Sequence, residues 1–258
     1  MKRQRDVSQL GAHGGLVTFT SSGGETAADN GEFKNVLGNS IRVKNVVMIA
    51  PRLTVMPNVF DNITPYNNTI TVNGVAYTIP VGYYTLSALI TALNTALAAL
   101  PIVFTAPVDP YNPALSVGGV ATFIVFKNSE MGEVLGFPDA NPLNPYLTSV
   151  APQTLPFPPN LNHNPIYHLT CSEIASNSHV NEVGLTHSVL ETLNMANVTR
   201  GAYATTFRDQ ADMSVIEFDS PRELSRITMY VVDSKFRRVT IPGNYNTWVQ
   251  CRVWSVDR

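Results

Sequence analysis

Apolar and polar residues alternate with a period of two over much of this chain, and that period predicts β-strands. The C-terminal run shows it best: Val249, Cys251 and Val253 alternate with Trp248, Gln250, Arg252 and Trp254. Further strands are predicted at 41–50 (ending before Pro51), 102–105, 121–126, 166–171, 188–195, 213–218, 227–232 and 238–241. One hairpin stands out. Thr69–Val72 and Val75–Ile79 flank Asn73-Gly74, a pair that supplies the two positive φ angles of a type I′ turn. A single helix is predicted from Leu86, Leu89, Ile90, Leu93, Leu97 and Leu100, with Thr85 as N-cap and Pro101 as the stop. Its other face carries Ser87, Thr91, Asn94 and Thr95 without a charge, so packing on both sides is expected. Short strands separated by turns indicate a sandwich or barrel.

Glycines at 11, 14, 15, 23, 24 and 31 break regular structure ahead of residue 41, where Leu16–Thr20 is the one strand-like run. Residues 1–40 are therefore expected to form an N-terminal arm, mobile in the free subunit and ordered by pairing with a neighbour's sheet edge. Residues 41–258 are expected to form one jelly-roll domain, with a hairpin-plus-helix α+β insertion at about 67–150. Two small jelly rolls split near residue 155 are the alternative. The stretch 138–165 holds eight prolines and should run as extended chain.

Composition sharpens this. Of 258 residues, 44% are hydrophobic but only 14% are charged, with net charge -2; typical soluble proteins carry about 25% charge. Disorder and a basic nucleic-acid-binding surface are both disfavoured. So little charge is expected of a chain whose surface is largely covered by neighbours. No run is long and apolar enough for a membrane span, and Met1–Asp6 leads into no apolar region of a secretory signal. Two cysteines, Cys171 and Cys251, make no disulfide framework. The sequons at Asn62, Asn67 and Asn197 are expected to be unused.

Candidate chemistry is sparse. Ala12-His13-Gly14-Gly15 has the form of an oxyanion-hole motif but lacks a nucleophile elbow. His163, His168, His179 and His187 have spacings that put no pair on one face of one element. Glu217 and Asp219 would share a strand face as a carboxylate pair, although a solvated face is the simpler reading. Arg222, Arg226, Arg237 and Arg238 are expected at turns and strand edges. Lys2, Arg3 and Arg5 are the candidate arm contacts, offering weak, salt-sensitive binding to nucleic acid or an acidic surface. No catalytic residue, metal ligand or cofactor site is expected.

The block Asn73-Gly74, Tyr77–Thr85, Leu89, Leu93-Asn94 resembles a pattern in minor capsid and penton proteins of icosahedral DNA viruses. So do Val134–Phe137, Pro159-Asn160-Leu161, Cys171-Ser172, and the ending Ile227, Val231–Asp233, Val239 and Trp248. The viruses concerned have double-jelly-roll major capsid proteins: large algal and protist viruses, virophages and related mobile elements. The resemblance spans residues 35–258. It implies a non-catalytic jelly roll built into a virion and assembled in the host cytoplasm or nucleus. Implied partners are the major and minor capsid proteins and further copies of the chain, with a pentamer as one arrangement. The competing expectation is a receptor- or carbohydrate-binding jelly roll of a spike or fibre, using exposed aromatics such as Tyr83, Tyr84 and Tyr111.

Overall fold

The computed structural model describes residues 12–21, 32–36, 43–107, 113–124, 130–140, 142–162, 165–171, 173, 178–180, 186–209, 215–224, 226–242 and 244–256. Its first strands are β1 (Ala12–Thr20), β2 (Glu32–Val36) and β3 (Val43–Pro57). Then come β4 (Thr69–Val72), β5 (Val75–Thr78), α1 (Leu86–Ala96), β6 (Val103–Thr105), β7 (Ser116–Gly118), β8 (Thr122–Ile124) and α2 (Glu130–Leu135). Next are β9 (Tyr146–Leu147), β10 (Gln153–Thr154), β11 (Ile166–Cys171), β12 (Ser178–Val180), β13 (Thr186–Asn194) and β14 (Tyr203–Phe207). The chain closes with β15 (Ile216–Leu224), β16 (Arg226–Asp233) and β17 (Trp248–Val256). It divides into two compact units: Met1–Phe60 with Asn164–Arg258, and Asp61–His163 between them.

The first unit is an antiparallel jelly-roll sandwich. One sheet runs β1-β17-β3-β14, with β15 also on β3; the other runs β12-β13-β11-β16-β2. Alternation decides what enters the core. Val249, Cys251 and Val253 of β17 are buried with Val46 and Ile49 of β3. They share one cluster with Leu169 of β11, Leu193 of β13, and Ile227, Met229 and Val231 of β16. The opposite face of β17 leaves Gln250 and Arg252 half-buried, while Trp254 lies against Met48 and Ala50.

Two strand boundaries differ from the sequence expectation. The strand expected to stop at Pro51 continues to Pro57. The β17 register skips between Gln250 and Cys251, placing Cys251 opposite Pro51. On the other side, β14 pairs as far as Leu53 and β15 begins at Ile49. Proline's missing N–H thus falls at a bulge and between two partner strands, where a strand tolerates it. The strand expected at 238–241 is absent apart from a bridge between Val232 and Arg238. β2 covers only Arg226–Tyr230 of β16, and the edge left at Val231–Asp233 is just long enough for the Asp233 N–H to donate to the Arg237 carbonyl and the Val239 N–H to the Val231 carbonyl. The chain instead turns on Asp233, whose Oδ1 accepts from the N–H groups of Lys235 and Arg237 at 2.9 Å each.

Within the stretch read as an arm, Ala12–Thr20 and Glu32–Val36 are strands of the sandwich. β1 pairs along its whole length with this chain's own β17, and Phe19 is buried. Lys2, Arg3 and Arg5 lie outside the described residues.

The second unit, the insertion, holds two small sheets, β5-β4-β8-β9 and β10-β7-β6. Their core includes Leu89, Leu93 and Leu97 of α1, Phe104, Phe123 and Phe137. The hairpin turn has the expected positive angles, φ 51° at Asn73 and 77° at Gly74. Thr85 caps α1, accepting from Ala88 N–H. The uncharged face of α1 differs from expectation: Ser87, Thr91 and Thr95 are exposed in this chain. The Thr91 and Thr95 hydroxyls donate back to the Ser87 and Thr91 carbonyls. Asn94 reaches sideways instead. Its amide donates to the Phe104 carbonyl at 2.9 Å and accepts from the Phe104 N–H at 2.8 Å, closing that point of the β6 edge. Asn94→Ala should therefore lower stability by about 1–3 kcal/mol, the loss of two such bonds. Chemical denaturation checks this, and an unchanged midpoint would count against the clamp.

Candidate assembly surface

Among the described residues, those singled out for chemistry are spread over several strands. His13 sits in β1 opposite Ser255, so the Ala12–Gly15 motif is strand, not loop. His168 on β11 bonds through Nδ1 to the Thr192 hydroxyl at 2.9 Å and stacks on Phe236. His179 and His187 occupy directly opposed positions on β12 and β13, a cross-strand neighbourhood that spacing along the chain does not reveal. His163 and Tyr111 lie outside the described residues. Glu217 is exposed on β15, beside buried Phe218. Arg237 pairs with Asp233, donating from Nε to Oδ2 at 2.7 Å. Arg238 covers the Tyr230 ring and Arg222 the Phe218 ring, while Arg226 stands opposite Val36. Among the described residues, no three His, Cys, Asp or Glu side chains gather as a metal site.

One buried ion pair has no signal in the sequence. Glu191 of β13 is 5% exposed and accepts two hydrogen bonds from the Arg208 guanidinium, at 2.9 and 2.7 Å. Glu191 lies within β13 and Arg208 just after β14, so only their pairing in space joins them. Cys171 and Cys251 are free thiols in the sandwich core. Burial pushes the Cys251 thiol far above its ordinary value, and Cys171 and Glu191 nearby add to the shift. Such a thiol is unreactive, since the thiolate is the nucleophile. It also makes stability depend on pH. The unfolded thiol ionises near 9.0, while the folded one keeps its proton. The contribution is complete below that value and is lost as the pH rises through it, by up to about 1.4 kcal/mol per pH unit. Cys251→Ala should show a flatter fall in stability between roughly pH 9 and 11. Parallel alkaline profiles for variant and wild type would contradict this.

Two of the three sequons, Asn62 and Asn67, hold loops, while Asn197 is exposed. The Asn62 amide bonds the Tyr84 N–H and carbonyl at 2.8 Å each. Asn67 is buried and accepts from the Thr64 N–H. Glycan attachment at either would break the loops they hold. Tyr83 is exposed, and the Tyr84 hydroxyl donates to the Pro80 carbonyl.

What distinguishes the surface is where charge is missing. Only Asp61, Asp109, Lys127, Glu130, Glu133 and Asp139 are charged in the insertion unit, out of 36 charged residues in the chain. Residues 62–108, 110–126 and 140–162 hold none. Glu133 and Asp139 line a groove of about 740 Å³ beside Gly136, Phe157 and Asn160. Elsewhere the unit exposes aliphatic side chains: Leu143 (97%), Val150 (79%), Leu147 (63%), Val120 (60%) and Val75 (54%).

Hydrogen bonds tie the hairpin turn, β8 and β9 together. The hairpin turn meets β8 where the Asn73 N–H donates to the Thr122 carbonyl and Asn73 Oδ1 accepts from the Thr122 N–H, both at 2.8 Å. Thr122 pairs with Leu147. The Thr148 N–H donates to the Ala121 carbonyl, and its hydroxyl donates to the Gly119 carbonyl at 2.6 Å and accepts from the Ala121 N–H.

Neither the protein-family models nor the curated proteins give a match to the sequence. Among solved structures, the chain is similar to the crystal structure of the selenomethionine-labelled mavirus penton protein, with a TM-score of 0.56 at 8% identity. The likeness covers 95% of this chain and 100% of that one. At that identity it speaks to the fold alone, and the fold it speaks to is the jelly-roll sandwich.

Proposed function

We propose that this chain is a structural component of a viral capsid, a minor capsid or penton protein that packs against neighbouring capsid subunits. The observation that carries the reading is the likeness to a penton protein over that protein's entire length. Support comes from the low charge and from the aliphatic side chains that the insertion unit exposes. Its role is passive: strand edges, loops and the residues ahead of β3 bury surface against neighbours. Lys2, Arg3 and Arg5 would add weak contacts to an acidic partner surface. The direct test is co-expression with the major capsid protein of the same source, followed by density maps of the particles. Density for this chain at the vertices supports a penton, density beneath the hexavalent capsomers supports a cement protein, and empty particles sink the reading. The competing receptor- or sugar-binding role would rest on Tyr66 and Tyr83, both exposed. They lie on loops joined by the bridge between Ile63 and Gly82, and a glycan array on the purified chain decides it.

A further inference from the structure

We infer that the groove lined by Glu133 and Asp139 receives the Lys2–Arg5 segment of a second copy of this chain. The inference rests on the capsid reading, in which copies lie side by side, and names the acidic surface that the basic residues meet. Backbone bonds hold the groove. The Phe157 N–H donates to the Gly136 carbonyl at 3.2 Å, and the Asn160 N–H to the Val134 carbonyl at 2.9 Å. Phe157–Asn160 and the end of α2 thus flank a space of about 740 Å³. Phe137, Phe157, Pro158 and Pro159 give it mostly apolar walls. Phe157 is 55% exposed, offering its ring to a guanidinium. Set into these walls are the exposed carboxylates of Glu133 and Asp139. Neither has a hydrogen-bond or ion-pair partner among the described residues.

Charge selects the occupant. The insertion unit holds one Lys against five acids, so the counter-charge comes from outside it. Two stretches of the chain place three basic residues within four positions: Lys2–Arg5 and Lys235–Arg238. The second is engaged in its own turn, where Arg237 pairs with Asp233 and Arg238 covers Tyr230. That leaves Lys2, Arg3 and Arg5. From Arg5 to Ala12, the first residue of β1, the chain reaches at most about 25 Å, enough to cross to a neighbour. The basic side chains would lay their apolar stems along the phenylalanine and proline walls, with their charged ends at the carboxylates. An acidic partner or an anionic lipid headgroup would be repelled by the same two groups.

Fluorescence anisotropy tests this with a labelled peptide of residues 1–11. The receptor is the full chain carrying Lys2→Gln, Arg3→Gln and Arg5→Gln, so that its own segment does not compete. The peptide should bind at roughly 20 mM salt and weaken at least about tenfold by about 0.5 M, as screened charges do. Adding Glu133→Gln with Asp139→Asn should weaken it at least about fivefold, the worth of two exposed ion pairs. Adding Phe157→Ala should weaken it about threefold. Glu217→Gln, at an exposed position on β15, should leave the affinity unchanged. The carboxamide variants should melt with their parent, because all three positions are exposed. No peptide binding, undiminished binding by the groove variant, or an equal loss from Glu217→Gln would overturn the inference. Sedimentation velocity at roughly 100 μM and low salt then separates copies. The chain with the neutral segment and the chain with the neutral groove should each stay monomeric and associate when mixed. A mixture that stays monomeric overturns docking between copies. Entry into particles is scored separately: failure of wild type to enter them defeats the capsid reading even where the peptide binds.

Discussion

Leu93→Asp unfolds the insertion unit and leaves the jelly-roll unit folded. Leu93 is fully buried on α1, in the cluster with Leu89, Leu97, Ile70 and Phe104. Aspartate there removes the apolar contacts of a leucine and buries a carboxylate, and among the described residues no basic side chain belongs to that cluster. The combined cost is about 4 kcal/mol or more, a large share of a domain's stability. Hydrogen exchange should show protection lost across Asp61–His163 and kept in β3, β11, β16 and β17. Leu93→Ala should fall between, at about 3 kcal/mol. Wild-type protection in the aspartate variant would remove α1 from the core.

Gly136→Ala comes next in size. Gly136 ends α2 with φ 85°. The Gly136 and Phe137 N–H groups both return to the Gly132 carbonyl, the pattern by which glycine closes a helix. A Cβ at this position would lie 2.0 Å from the Phe157 carbonyl oxygen and 2.8 Å from its carbon. Both are backbone atoms, so no rotamer change relieves the clash. The Phe157 segment would have to move off α2, breaking its N–H bond to the Gly136 carbonyl and disturbing that from Asn160 to Val134. Left-handed strain adds about 1–2 kcal/mol to that disruption. The expected loss is about 3 kcal/mol or more, read as a lower unfolding midpoint. Gly74→Ala is the control: its φ is 77° with nothing within 4 Å, so it should cost only the strain. Equal effects of the two would argue against the close approach.

Local chemistry explains which elements were legible. The Asn73-Gly74 hairpin, the Thr85 cap and the β17 alternation each depend on a few adjacent residues, and each stands as read. β2, β7, β12 and β14 carry short or mixed patterns, and they become strands because a neighbour offers a free edge. The stretch 238–241 shows the converse. Its alternation favours a strand, yet only the Val231–Asp233 end of β16 is left uncovered by β2, so the pairing stops at one bridge.

The exposed aliphatics of the insertion unit mark the same limit. Leu93 and Leu143 are the same residue in charge-free sequence, yet one is fully buried and the other 97% exposed. Sequence by itself determined the mainly β class, the scarcity of charge and the lack of a catalytic motif, because these follow from composition and short-range period. Tertiary structure alone decided which leucines face out, that Glu191 meets Arg208, and that the residues at 12–20 close the sandwich's own sheet edge. Those outcomes depend on which strand edges and faces other parts of the chain have already occupied, and no local pattern carries that information.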